Sequence, residues 1–127
     1  MNKILLIGMG GFIGSILRYW LSGWVQQALK SSLYPFGTLT VNIFGCLVIG
    51  FLSGLAEQRG VFTPEARAFA FIGVLGGFTT FSTFGNETFG LLQDGQTLSA
   101  LVNIALHLVF GVGAVWLGRT LAFLIWR

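Results

Sequence analysis

The chain has 127 residues, of which 54% are hydrophobic and 9% are charged, and its mean hydropathy is +0.83. Ordinary soluble domains carry about 25% charged residues, so the composition indicates an integral membrane protein. Four helical spans of about twenty residues would use nearly the whole chain. We therefore predict an all-α protein with a single four-helix transmembrane domain over residues 1–127 and no separate soluble domain.

The charged residues and the cysteine exclude several classes of partner. The formal charge of +3 comes from seven basic residues that form no cluster, so nucleic-acid binding is not indicated. One cysteine, Cys46, stands in an apolar run, and the sequence has neither a disulfide framework nor the Cys/His spacing of a zinc site. We interpret Cys46 as a packing residue.

The first predicted span covers residues 4–29 and carries glycines that form a small-residue face. Gly10 and Gly14 are four residues apart, a spacing that lets helix backbones approach closely. Arg18 lies roughly 21 Å along the helix axis from Ile4. At that depth its side chain can reach the membrane edge, so the residues alone favour an interfacial anchor.

The second predicted span covers residues 38–56. Pro35 and Gly37 are expected to end the preceding loop and break the helix before this span begins. Within the span, Thr38, Asn42 and Cys46 follow one another at intervals of four residues and so share one helix face. This face places polar groups inside an apolar segment.

The third predicted span, residues 66–92, is expected to be broken near its middle. Two apolar arms, residues 68–75 and 81–92, are roughly 12 and 18 Å long and together match a bilayer core of about 30 Å. Between them, residues 76–80 combine two glycines with two threonines, which weaken a helix. Unpaired backbone at the midplane persists only where protein, an ion or water satisfies it, so the break indicates an ion site or a pore.

The fourth predicted span covers residues 98–125, and Asn103, His107 and Gly111 share one of its faces. An even number of spans places both termini on one side of the membrane. Five basic residues then lie on the side of the termini and two on the other, which weakly favours cytoplasmic termini. The five are Lys3, Arg59, Arg67, Arg119 and Arg127, and the two are Arg18 and Lys30.

Two other classes of protein deserve comparison with an ion pathway. The glycines between Gly8 and Gly14 resemble a dinucleotide-binding loop, but the acidic residue expected about twenty positions later is absent. No catalytic constellation is visible either, so we predict that the protein is not an enzyme. A small structural membrane protein, or a transporter of another small solute, remains an alternative, although a structural role does not explain the broken span.

The polar side chains near the break favour an anion. Hydroxyl and amide donors occur at membrane depth, and no acidic side chain lies close to the break. Phe81 and Phe84 are three residues apart and share a face. Phenyl rings carry a positive edge, so ring edges turned toward a pathway would also favour an anion.

Three segments together resemble the Fluc (CrcB) family of fluoride channels over the whole chain. They are Gly76-Gly77-Phe78-Thr79-Thr80-Phe81-Ser82-Thr83-Phe84, Gly37-Thr38-Leu39-Thr40-Val41-Asn42, and Gly14-xxx-Arg18-Tyr19. The resemblance implies an antiparallel, dual-topology homodimer of four-span subunits in the cell inner membrane. It also implies two fluoride pathways, one structural sodium ion on the two-fold axis, and passive export of fluoride that confers fluoride resistance.

The resemblance also implies roles for individual residues. The main-chain carbonyls of Gly76 and Thr79 would bind sodium, and Arg18 would be the vestibule cation. The fluoride pathway would consist of phenyl, amide and hydroxyl side chains with one carboxylate nearby: Phe81, Phe84, Asn42, Ser82, Thr83 and Glu87. Family members often carry a serine where this chain has Gly111, so Thr38 or His107 would supply that contact.

Overall fold

The computed structural model describes residues 2–30 and 33–126, and within these ranges every regular element is helical. Met1, Ser31, Ser32 and Arg127 lie outside the described residues. The predicted place of Arg127 on the side of the termini therefore falls outside the described residues as well. The elements are α1 (Lys3–Ala28), α2 (Phe36–Arg59), α3 (Pro64–Arg67), a π-helix (Ala68–Leu75), α4 (Gly76–Phe78), α5 (Phe81–Gln93) and α6 (Thr97–Ile125).

Four segments are long and apolar enough to cross a membrane, as predicted: Lys3–Ala28, Phe36–Arg59, Pro64–Gln93 and Thr97–Ile125. Large apolar side chains cover the outside of the subunit, and Ile4, Trp20, Leu98 and Trp116 are each more than two-thirds exposed. Water would make such a surface costly, whereas lipid tails are as apolar as the side chains themselves. The chain is therefore a multi-pass membrane protein.

The second helix is longer at both ends than the predicted residues 38–56. It begins at Phe36, preceded by Pro35, and ends at Arg59, before Gly60 in the left-handed conformation at φ 58°. The expectation that Gly37 breaks the helix is wrong, because Gly37 is helical and packs against the carbonyl of Ser22 in α1. The absence of a side chain serves close packing here rather than helix termination.

The helices pack in two pairs, α2 with α6 and α1 with the π-helix. At the first pair, Gly118 lies against the backbone of Gly50 and Phe51. At the second, a Cβ on Gly10 would lie 2.5 Å from the carbonyl oxygen of Phe69 and 2.9 Å from the Cα of Gly73. The predicted glycine face of the first span is thus confirmed as a surface of backbone contact, which holds the third span against α1.

The third span is broken as predicted, but the break is shorter than expected. Only Thr79 and Thr80 leave the helical conformation, with φ/ψ of −90°/158° and −151°/114°. Gly76, Gly77 and Phe78 remain helical in α4, so the expectation of a five-residue break is wrong for these three residues. Gly77 is needed for packing, because a Cβ there would lie 2.7 Å from the carbonyl oxygen of Gly11.

Candidate functional site

The site is built around the two extended residues of the third span. Thr79 retains contact with the preceding helix, since its N–H and its hydroxyl both donate to the carbonyl of Leu75, at 3.0 and 2.9 Å. Thr80 is the N-cap of α5, and its hydroxyl oxygen accepts from the N–H of Thr83 at 3.3 Å. The two threonines therefore end one helical arm and begin the next.

Asn42 of α2 holds the broken backbone in place. Its side-chain Oδ1 accepts from the N–H of Thr80 at 2.8 Å, and its Nδ2 donates to the carbonyl of Thr80 at 3.1 Å. An amide side chain has the same donor and acceptor as a peptide group, so it replaces the backbone partner that the helix lost. The predicted pore asparagine thus binds the main chain of Thr80, and its Nδ2 also lies 3.1 Å from Nε2 of His107.

The same hydrogen bonds leave two carbonyls without their ordinary helical partners. In a continuous α-helix the carbonyl of Gly76 would accept from the N–H of Thr80, which instead donates to Asn42. The carbonyl of Thr79 would accept from the N–H of Thr83, which instead donates to the Thr80 hydroxyl. These are the two carbonyls expected to bind sodium, and both residues line the same cavity.

The two candidate phenyl rings lie together but in different surroundings. The centroids of Phe81 and Phe84 are 5.5 Å apart, with ring planes tilted by 52°. Phe81 is 83% exposed in the isolated subunit, whereas Phe84 is partly buried against His107, at a centroid distance of 4.2 Å. Phe78 is buried and meets Phe44 edge-on at 6.1 Å, so it packs between helices.

A cavity of about 410 Å³ joins most of the predicted site residues. Its polar lining comes from α2, the break and α6, and its walls include both candidate phenyl rings. The site residues in it are Asn42, Gly76, Thr79, Thr80, Phe81, Phe84, His107 and Gly111.

Gly111 has free space beside it in this cavity. A Cβ there would meet only Cys46 Sγ at 3.7 Å, an ordinary contact distance. His107 lines the same cavity, and Thr38 does not. Of the two side chains that the resemblance suggested in place of a serine, only His107 lines this cavity.

Thr38 and Glu87 lie in a second cavity of about 430 Å³. The Thr38 hydroxyl donates to Glu87 Oε1 at 2.8 Å, and both residues are on the wall of this space together with Tyr34 and Asp94. The other oxygen of Glu87, Oε2, is buried and has no hydrogen-bond partner in the part of the chain that the structure describes. Predicted pathway residues thus line two separate cavities.

Three predicted residues line neither of these cavities. Thr83 accepts a hydrogen bond from the Thr80 hydroxyl at 3.0 Å, and the Ser82 hydroxyl lies 3.4 Å from the same oxygen. Both hydroxyls therefore belong to the start of α5. Arg18 is half-buried on α1, where its carbonyl accepts from the Ser22 hydroxyl at 2.6 Å.

Sequence reasoning missed a polar network behind Phe84. Asn103 is fully buried, and its Nδ2 donates to the Thr88 hydroxyl at 2.9 Å while its Oδ1 accepts from Tyr34 Oη at 3.3 Å. Burial raises the pKa of the Tyr34 phenol above its ordinary value, which keeps this donor protonated. The shared face of Asn103 and His107 was visible in the sequence, but their partners on other elements were not.

Known proteins resemble this chain over nearly its full length. The family model described as CrcB-like protein, Camphor Resistance (CrcB), matches residues 5–119. A fluoride-specific ion channel FluC 1 of Methanosarcina acetivorans is 47% identical over 119 residues, which is 94% of this chain and 89% of that protein. FluC 3 of Methanosarcina barkeri is 43% identical, covering 96% of this chain and 91% of the relative. FluC of Methylobacillus flagellatus is 46% identical, covering 93% and 92%. The chain belongs to the CrcB-like family.

Proposed function

We propose that the chain forms a fluoride-specific ion channel that exports fluoride passively and so confers fluoride resistance. The observation that carries this proposal is the full-length similarity to proteins named fluoride-specific ion channels, at 43–47% identity. The protein is a channel and not an enzyme. The cavity beside a broken membrane helix, lined by two phenyl rings and by polar side chains, supports the same conclusion.

The cavity chemistry suits a small, strongly hydrated anion. Such an ion leaves water only where close and directed donors replace its hydration shell. The phenyl edges of Phe81 and Phe84 carry positive partial charge, and both rings line this cavity, whereas the Asn42 side chain is already hydrogen-bonded to the main chain of Thr80. We propose that Phe81 and Phe84 contact fluoride along their edges and that the polar side chains continue the path toward the second cavity at Thr38 and Glu87.

The functional unit is proposed to be an antiparallel homodimer. Phe81 exposes 83% of its surface, and Gly76 is exposed although it lies in the middle of a membrane span. Two backbone carbonyls without helical partners on an open face would be costly against lipid. A second copy of the chain, related by a two-fold axis in the membrane plane, would cover this face and complete both pathways.

The carbonyls of Gly76 and Thr79 would hold a structural sodium ion at that axis. Two oxygens from each of two copies give four hard ligands, which fits a hard monovalent cation and satisfies the carbonyls that the helix abandons. The ion would supply positive charge and cross-link the two breaks. Asn42 would contribute by fixing the Thr80 peptide, and therefore the direction of the adjacent carbonyl.

The proposed orientation is dual, with copies inserted both ways in the cell inner membrane. The five-to-two distribution of basic residues favours cytoplasmic termini only weakly, and we propose insertion in both directions despite it. Tags at the C-terminus should then be accessible from both sides of the membrane. Accessibility from the cytoplasm alone would contradict dual topology, and fractionation of the cell membranes checks the location.

Anion efflux from reconstituted liposomes tests the function. Vesicles loaded with fluoride should release it with the purified protein, whereas vesicles loaded with chloride should retain their anion. Light scattering in detergent should give the mass of two chains. Equal release of both anions would favour a transporter of another solute, and no release would favour a structural membrane protein.

A further inference from the structure

The cavity contains a chain of hydrogen bonds that runs from Asn103 through His107 and Asn42 to the broken backbone. His107 Nδ1 lies 2.9 Å from the main-chain carbonyl of Asn103, one turn earlier on α6. Its other ring nitrogen, Nε2, lies 3.1 Å from Nδ2 of Asn42. Asn42 in turn makes both of its bonds to Thr80.

The orientation of the Asn42 amide is fixed by Thr80. A main-chain N–H can only donate, so the Asn42 atom 2.8 Å from the Thr80 nitrogen must be the oxygen Oδ1. The other terminal atom is then the nitrogen Nδ2, which donates one hydrogen to the Thr80 carbonyl. Its second hydrogen points toward His107.

The protonation state of His107 follows from its two neighbours. The carbonyl of Asn103 can only accept, so Nδ1 must carry a hydrogen. Asn42 Nδ2 can only donate, so Nε2 must offer a lone pair. Both contacts are satisfied only by the neutral imidazole with its hydrogen on Nδ1.

We infer that His107 is a positioning residue for the broken backbone: the neutral Nδ1–H form holds Asn42 in the orientation that binds Thr80. This inference rests on the proposed channel function and goes beyond it, because it assigns His107 a role through Asn42 rather than through contact with the ion. Phe84 packs against the imidazole at a centroid distance of 4.2 Å, with the ring planes tilted by 43°, and so limits rotation of the imidazole away from its two partners.

Protonation of Nε2 would reverse this arrangement. An N–H on Nε2 would face the Asn42 amide hydrogens across 3.1 Å, so two donors would oppose each other and Asn42 would have to move away from Thr80. The titratable groups on neighbouring elements are Cys46 of α2 in the same cavity, Glu87 of α5 bound to Thr38, and Tyr34 bound to Asn103. In the described chain none of these groups is hydrogen-bonded to the imidazole. The orientation of Asn42 therefore depends on the protonation of His107 itself.

Nitrogen NMR tests the assignment directly, because His107 is the only histidine in the sequence. Protein labelled with ¹⁵N-histidine in detergent micelles gives one pair of ring signals. At neutral pH we expect a protonated, pyrrole-type Nδ1 and an unprotonated, pyridine-type Nε2. A hydrogen on Nε2, or rapid averaging between the two forms, would overturn the inference. This measurement needs neither fluoride nor a variant.

Flux measurements test the consequence. Fluoride efflux is measured on both sides of the titration midpoint that the ring nitrogens report, and leakage from protein-free vesicles is subtracted. Wild-type flux should fall on the acid side by about fivefold or more, the effect of a lost buried hydrogen bond. His107→Gln keeps an acceptor near the Nε2 position and does not titrate. Whatever the absolute flux of this variant, the ratio of its flux at the higher pH to its flux at the lower pH should approach one.

His107→Leu provides the matched comparison, because it removes the acceptor without adding charge. Its flux should be low at both pH values and lower than that of His107→Gln. An equal acid response in the wild type and His107→Gln would overturn the inference while leaving the channel function intact. Absence of fluoride efflux at every pH, with the predicted tautomer still observed, would contradict the proposed function instead.

Discussion

Asn42 and Thr80 are joined by two hydrogen bonds between one side chain and the main-chain N–H and C=O of one residue, at 2.8 and 3.1 Å. The residues are 38 positions apart in the sequence, and the contact ties α2 to the break in the third span. Inside a membrane this contact replaces bonds that water would make to an exposed peptide. The conformation of the break therefore depends on α2.

Asn42→Ala should lower both subunit stability and fluoride flux. It leaves the N–H of Thr80 unpaired and removes one bond to the Thr80 carbonyl, and an unsatisfied buried group costs about 1 to 3 kcal/mol. Denaturant unfolding in detergent measures the stability. Asn86→Ala, on the exposed side of α5, is the control and should behave like the wild type; equal effects of the two changes would contradict the role of Asn42.

Phe81→Ile and Phe84→Ile should reduce fluoride flux about tenfold or more, because an aliphatic chain has no positive edge. Their stabilities should differ. Phe84 packs on His107, so its replacement should lower the free energy of unfolding by about 1 kcal/mol. Replacement of the exposed Phe81 should lower it by less.

Phe89→Ile is the control for this pair, since Phe89 is 60% exposed on the same helix and does not line the cavity. Flux and dimer yield are measured on the same preparations. Wild-type flux in folded dimers of both variants would mean that the rings are structural.

Gly10→Ala should destabilise the subunit, whereas Gly8→Ala should not. A Cβ at Gly10 would lie 2.5 Å from a carbonyl oxygen, and overpacking of this kind costs about 1 to 3 kcal/mol. A Cβ at Gly8, on the same helix, would meet nothing within 4 Å. Thermal unfolding of the two variants in parallel gives the comparison, and similar melting temperatures would argue against close packing of α1 on the π-helix.

Thr38→Val should lower the free energy of unfolding of the protein, whereas Thr38→Ser should keep it near the wild-type value. Valine has a similar shape but no hydroxyl, so the change removes the hydrogen bond to Glu87 Oε1 while Oε2 is already unpaired. The expected cost is about 1 to 3 kcal/mol. Denaturant unfolding of the three proteins is the measurement, and a valine variant as stable as the serine variant would show that the bond contributes nothing.

Replacement of sodium by a large organic cation should lower the stability of the dimer. A ligand that binds only the assembled protein stabilises it in proportion to the logarithm of its concentration. The dissociation temperature should therefore rise with sodium at constant ionic strength. Potassium chloride is the control for salt effects, and unchanged stability without sodium would contradict the proposed ion site.

Much of the fold was predictable from local properties of the sequence. Span number, approximate span position and the location of the break depend on hydrophobicity, length and the motif from Gly76 to Phe84, all of which are read along the chain. The close-packing role of Gly10 was also predictable, because its spacing to Gly14 defines one helix face. The resemblance based on these residues correctly identified the family.

Contacts between distant residues were decided only by the tertiary structure. The break is confined to Thr79 and Thr80 because Gly77 packs against Gly11 and stays helical, a contact that no local propensity encodes. For the same reason, Asn42 and His107 could be named as site residues from the sequence, but the contact between them could not be predicted. Their chemistry was determined by residue type, whereas the partner of each hydrogen-bonding group was set by the packing of α2, α5 and α6.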